Sequence, residues 1–367
     1  MRRLVPLLFV LPAFALLAAP GVAGAKPKHT VKPVAPVAPV AAPIVGIADQ
    51  KESIFTDPRF TALGIRYARY YVAWDALRTP WQVLELEDWL KVAQANGVEP
   101  LITFGPSRLP GMRRAWPTTA QFVEQFKAFR SRYPWITTFA TWNEANFCGF
   151  GPCKEPQRVA KWWLALQAAC PTCKVLAAEV LDQPSAPIWV KAFIKAAKRR
   201  PAYWGLHNYL TANRLQTDRT QAFLDATKTG EVWFTETGGI VKRNNGSTVK
   251  LPEGVRHAAD VTSFIFKTLA PLSPRITRVY VYQWNSLAGT SWDSGIIAPN
   301  GRVRPALDVL KRAIAKQKPN RTPPGRTEFP VPVLPVQVPA LPPPLPAPAP
   351  DPAPSDPAQA PASTPAQ

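Results

Sequence analysis

The 367-residue chain has little of what several common chemistries require. It holds three histidines, and His29 and His257 have no metal-ligating residues grouped with them. No glycine-rich dinucleotide fingerprint follows its first β-forming run, which weakens an open, doubly wound nucleotide-binding sheet as a reading of the fold. No dense Lys/Arg run or nucleic-acid motif accompanies the formal charge of +20, so nucleic acid is not an expected partner. Beyond the N-terminus no apolar run approaches the roughly 20 residues that a spanning helix needs. No cofactor, no metal and no stable membrane insertion are expected, and the chain is expected to be a monomer.

What is present divides the chain into four parts. Residues 1–25 read as a secretory signal peptide: Arg2-Arg3, an apolar stretch from Leu4 to Ala19 broken by Pro6 and Pro12, then the small-x-small site Ala23-Gly24-Ala25. A membrane anchor is the competing reading, but the stretch is short for one. Residues 26–43 form a Pro/Val/Ala-rich spacer, and residues 318–367 form a Pro/Ala-rich tail expected to be disordered or polyproline-like. Between them lies 44–317, near the size of one α/β barrel. The expected location is secreted or extracellular, with cell-wall association left open. This middle region carries 36 Lys and Arg against 21 Asp and Glu. That excess suits an acidic polysaccharide or cell-wall polymer as partner. It suits equally a charge spread over helix surfaces for solubility.

Short β-branched and aromatic runs alternate with helical patterns through this region, the mark of parallel βαβ units. Eight strands are expected: Ile44 to Asp49, Ile65 to Trp74, Glu99 to Phe104, Ile136 to Asn143, Lys174 to Val180, Tyr203 to Tyr209, Glu231 to Glu236 and Ile276 to Trp284. Between them, Phe122, Phe126 and Phe129 share one face of a Thr-capped helix. A single (β/α)8 TIM barrel with Pro-rich disordered ends is the simplest architecture. In such a barrel the site lies at the C-terminal rim of the strands. That rim gathers Asp49, Arg69 to Trp74, Asn143, Glu144, Glu179, His207, Tyr209, Glu236, Trp284 and Asn285. Glu144 and Glu236 would face each other, as the two carboxylates of glycosidic cleavage must.

Trp142-Asn143-Glu144 closing the fourth strand, with Phe234-Thr235-Glu236-Thr237 closing the seventh, resembles glycoside hydrolase clan A. These are retaining (β/α)8 glycosidases with Asn-Glu on strand four and Glu on strand seven. The similarity runs through the whole middle region, although Ala145 stands where the common spelling has proline. The resemblance implies that Glu144 is the general acid/base, Glu236 the nucleophile, and Asn143 a partner of the sugar 2-hydroxyl. It implies that Arg69 keeps the nucleophile charged, with Arg66 as its rival for that role. His207 and Tyr209 are expected to share an inward face of strand six, with Tyr209 reaching Glu236. Trp284 is expected to form the floor under the reactive sugar, with Trp74, Trp142 and Trp292 as looser platforms. Glu179 is a spare carboxylate, either a substrate ligand or the partner of a nearby cation. The implied activity is hydrolysis of β-linked bonds in a polysaccharide, endo-acting; a non-catalytic carbohydrate-binding or cell-wall-associated barrel is the alternative.

Four cysteines, Cys148, Cys153, Cys170 and Cys173, superficially suggest a zinc site. In the barrel, the first two lie at the top and the second two at the bottom, separated by a helix descending roughly 20 Å. Two local disulfides, Cys148–Cys153 and Cys170–Cys173, are expected instead.

Overall fold

The computed structural model describes residues 41–244, 246 and 248–316. The expected signal peptide, most of the spacer and the tail lie outside the described residues. The strands are β1 (Ile44–Ala48), β2 (Tyr67–Ala73), β3 (Glu99–Gly105), β4 (Thr138–Ala140), β5 (Lys174–Leu176), β6 (Glu179–Leu181), β7 (Tyr203–His207), β8 (Glu231–Thr237), β9 (Lys242–Arg243), β10 (Ile276–Tyr282) and β11 (Trp292–Asp293). The helices are α1 (Pro58–Thr61), α2 (Pro80–Ala95), α3 (Thr119–Arg132), α4 (Pro156–Ala169), α5 (Ala186–Ala197), α6 (Tyr209–Asn213), α7 (Asp218–Thr227), α8 (Val255–Phe264) and α9 (Pro305–Ala315).

The main sheet runs β5-β4-β3-β2-β1-β10-β8-β7-β6, with every pairing parallel. Its two ends, β5 and β6, are consecutive in the chain. Only Ala177 and Ala178 separate them, and both are tied to the next strand: Ala177 N donates to Tyr203 O at 2.9 Å and Gly205 N to Ala178 O at 3.0 Å. The expected fifth strand is therefore one stave broken in the middle, and the sheet closes on itself through that break. The result is the expected TIM-barrel-like α/β architecture. A separate two-stranded ribbon, β9 antiparallel to β11, stands over the rim.

Two apolar layers hold the barrel. The inner one stacks Ala48, Leu101, Ala140, Leu176, Trp233 and Tyr280, with Tyr67, Tyr203 and Tyr282 against them. Gly46 makes room for it: a Cβ there would stand 2.5 Å from Tyr280 Cδ1. The outer layer packs helix stripes on the sheet. In α3, Phe122, Phe126 and Phe129 are buried as the 3.6-residue period requires. The same helix opens with a capping box, Thr118 accepting from Gln121 N while the Gln121 side chain accepts from Thr118 N. The disulfides form as expected, Cys148–Cys153 (Cα–Cα 4.9 Å) and Cys170–Cys173 (5.4 Å).

Candidate active site

The fourth strand ends earlier than its hydrophobic run suggests, at Ala140. The chain beyond it stays threaded through the rim. Asn143 N donates to Phe104 O at 2.7 Å, Glu179 N to Trp142 O at 2.9 Å, and Ala145 N to Glu179 O at 3.0 Å. Trp142 anchors the segment: its buried ring lies 4.6 Å from that of Trp162, and its Nε1 donates to Phe150 O at 2.7 Å. Within this frame Glu144 is held at φ 43°, a left-handed conformation that costs a non-glycine residue about 1 kcal/mol or more. That turn breaks strand alternation, so adjacent Asn143 and Glu144 both reach one cleft.

The cleft has a volume of about 1040 Å³. Asn143, Glu144, Tyr209, Glu236, Tyr282 and Trp292 are in its wall, with Tyr71, Phe147 and Phe150 widening it. Among the described residues of that wall Arg243 is the one cation. Glu144 and Glu236 come from opposite sides of the barrel, yet a carboxylate oxygen of each lies within 4.8 Å of the other.

Behind the two carboxylates sits a buried polar layer. Arg69, on β2, donates from Nε to Glu179 Oε1 at 2.8 Å and from Nη2 to Glu179 Oε2 at 2.5 Å. Its Nη1 reaches Glu236 Oε1 at 2.6 Å, and its Nη2 also reaches Asn143 Oδ1 at 2.7 Å. Thr103 Oγ1 donates to Glu179 Oε1 at 2.9 Å. His207 Nδ1 lies 3.1 Å from Glu144 Oε1 and 3.7 Å from Glu236 Oε2, and its Nε2 lies 3.4 Å from Glu179 Oε2. Tyr209 donates to Glu236 Oε2 at 3.3 Å.

The electrostatics follow from this packing. Burial works against the Glu179 carboxylate, but Arg69 outweighs it and holds its pKa at about 2. Burial likewise disfavours imidazolium at His207. The charge of Glu236, with the hydrogen bond to Glu144 and the nearby Glu179 carboxylate, overcomes that and pushes His207 up to about 10. Burial and the nearby Glu236 raise Tyr209, so it remains a phenol that donates to that carboxylate. Glu144, His207 and Glu236 also have the spacing of a metal-ligand trio. A protonated His207 has no lone pair to offer, so a cation could bind there only by displacing that proton.

The structure brings Asn143, Glu144, Arg69, His207, Tyr209 and Glu236 together. It refines several expectations. Tyr209 is not on strand six, which ends at His207; it opens α6 and reaches Glu236 from there. Arg69 and His207 are buried behind the cleft wall rather than in it. Trp284 is not the cleft floor. Its strand ends at Tyr282, and its buried ring packs edge-on to Phe60 while Nε1 donates to Asp57 Oδ2 at 2.9 Å. Tyr282 takes the wall position. Trp74 and Trp142 are likewise core residues, whereas Trp292 lines the cleft. Arg66 binds Asn96 O at 3.0 Å, away from the carboxylates. Glu179, the spare carboxylate, proves to be the main anchor of Arg69.

No protein-family model matches the chain, and no curated protein matches it. Solved structures do. GH5_18 from Streptomyces cattleya, in complex with GlcNAc, superposes with a TM-score of 0.56 at 14% identity over 77% of this chain and 82% of that one. The chain has the fold of glycoside hydrolase barrels. Xylanase 10B from Thermotoga maritima matches at 0.53 and 14% identity, over 75% and 96% of the two chains. A family 39 glycoside hydrolase from Bacteroides cellulosilyticus WH2 matches at 0.50 and 13% identity, over 74% and 64%. At these identities the likeness is one of fold.

Proposed function

We propose that the chain is a secreted, retaining glycoside hydrolase that cleaves β-linked bonds within a polysaccharide by double displacement. The carrying observation is that an oxygen of Glu144 and an oxygen of Glu236 lie within 4.8 Å of each other across one cleft. Retaining enzymes hold their carboxyl groups about 5–5.5 Å apart, whereas inverting ones need 6.5–9.5 Å to admit a water. Glu236 attacks the anomeric carbon while Glu144 protonates the departing oxygen. Water, deprotonated by Glu144, then cleaves the glycosyl ester. Arg69 and Tyr209 hold Glu236 ready for attack. With Asn143 Oδ1 taken by Arg69, the amide nitrogen is left as donor to a sugar hydroxyl. Tyr71, Phe147, Phe150, Tyr282 and Trp292 supply aromatic faces for pyranose rings. Residues 1–25 would direct export.

The test is turnover of a panel of neutral and acidic β-glycans by wild type and Glu236→Gln, with the first product anomer followed by NMR. Retention of configuration, lost with turnover in the variant, supports the proposal. Inversion removes Glu236 as nucleophile. Binding without turnover by wild type across the panel leaves a carbohydrate-binding barrel.

A further inference from the structure

Glu179 has no place in the two-carboxylate reaction, yet it is fully buried and saturated with contacts. We propose that Glu179 is a positioning residue: it holds His207 as an N–H donor at both ring nitrogens, so that one cation serves Glu144 and Glu236 in turn. The role rests on the glycosidase reading; the ionisation of His207 does not.

Geometry carries the inference. A neutral imidazole has one N–H and one lone pair. Here both nitrogens face carboxylate oxygens, Nδ1 at 3.1 Å from Glu144 and Nε2 at 3.4 Å from Glu179. The second contact is long for a hydrogen bond, and among the described residues Nε2 has no other partner. Either neutral tautomer sets a buried lone pair against a carboxylate. The exception is a ring accepting at Nδ1 from a protonated Glu144. That arrangement turns the proton away from the cleft and leaves the lone pair 3.7 Å from Glu236.

The groups facing His207 are Glu144 after β4, Glu179 on β6 and Glu236 on β8, with Arg69 and Tyr209 acting through Glu236. Arg69 and His207 contribute two positive charges. Glu179 contributes one negative charge, and Glu236 contributes the other in the state ready for the first step, where Glu144 carries the proton it is to donate. The buried cluster is then electroneutral, as a desolvated site requires.

Neutrality survives the reaction. In the first step the bond from Glu236 to the anomeric carbon forms, the glycosidic C–O bond breaks, and the Glu144 proton leaves with the departing oxygen. Negative charge thereby moves from Glu236 to Glu144. In the second step water gives its proton to Glu144 and its hydroxyl to the anomeric carbon, the ester bond breaks, and the charge returns to Glu236. Nδ1–H lies between the two carboxylates and stabilises whichever is ionised. Without Glu179 the cluster carries an excess positive charge, which a neutral His207 would remove.

The experiment is 15N NMR of the full chain labelled at histidine, with the His207 signals assigned by their loss in His207→Gln. In wild type both ring nitrogens should show the protonated signature from pH 6 to 9. In Glu179→Gln, which keeps the side-chain shape, the midpoint should fall by about two pH units or more, and the alkaline limb of kcat/KM should fall with it. Glu179→Asp should lie between the two. A neutral ring in wild type at pH 7 overturns the proposal, as does an unmoved midpoint in Glu179→Gln. If that variant does not fold, wild type and Glu179→Asp decide. The NMR reading stands apart from turnover, so failure to cleave any glycan would refute the glycosidase reading without touching the ionisation of His207.

Discussion

Arg69→Met is the most informative single perturbation of the fold. The side chain is 2% exposed and Glu179 is fully buried, so removing the guanidinium strands a carboxylate that water cannot reach. Two estimates of the cost agree. Lowering Glu179 from its ordinary 4.5 to about 2 corresponds to about 3 kcal/mol of native-state stability at neutral pH. Removing one partner of a buried ion pair costs about 3–5 kcal/mol in other proteins. For a domain of this size that is a fall in Tm of roughly 6–20 °C. The sign of the pH dependence follows from the depressed value. Wild type has the full Glu179 contribution above about pH 4.5 and loses it as pH falls toward 2. In Arg69→Met, burial without its cation raises the Glu179 pKa, so its penalty grows as pH rises above 4.5. The gap between the proteins should therefore be wide at pH 7 and narrow at pH 4. Urea unfolding at both pH values measures it. A gap below about 1 kcal/mol at pH 7, or one that does not change with pH, would refute the role given to the Arg69–Glu179 pair.

Other expectations are simpler. Tyr209→Phe removes one hydrogen bond to Glu236 from an otherwise intact wall; kcat should fall about tenfold with stability changed by about 1 kcal/mol or less, read by steady-state kinetics and thermal melting. Gly46→Ala should lower unfolding free energy by about 1–3 kcal/mol, because the new methyl meets the Tyr280 ring at 2.5 Å; urea denaturation checks it. Opening Cys148–Cys153 as the double serine variant releases a loop with a sequence separation of 5 and should cost about 2 kcal/mol by the same assay. His207, raised from 6.5 to about 10, contributes stability that is complete below 6.5 and declines as pH passes through 10; a melting series from pH 6 to 10 should show that decline, and His207→Gln should flatten it.

The sequence made the strand count and the acidic pair legible because both are local patterns. Val, Ile, Tyr and Phe cluster where staves form, and Asn143-Glu144 and Glu236 stand where those runs stop. Less legible was anything set by how a strand ends. Counting by twos from Tyr280 puts both Tyr282 and Trp284 inside, but the strand stops at Tyr282 and Trp284 leaves the barrel to meet Asp57. His207 and Tyr209 carry the same parity, yet one closes a strand and the other opens a helix. The break at Ala177–Ala178 was hidden because two alanines continue an apolar run without marking a bend. Glu179 is the instructive case. A lone acid inside Leu-Ala-Ala-Glu-Val-Leu signals a buried cation opposite it, and Arg69 in the middle of another apolar strand is its counterpart.

The staves around the barrel are unequal. β4 has three residues and the broken stave is two runs of three, β5 and β6, whereas β2, β3, β8 and β10 have seven. Glu144 and Glu179 belong to the short quadrant, and Glu236 to the long one. A glycan lodged between Glu144 and Glu236 would thus tie the short-stranded part of the wall to the long-stranded part. Amide exchange should slow most in the short quadrant when such a chain is bound.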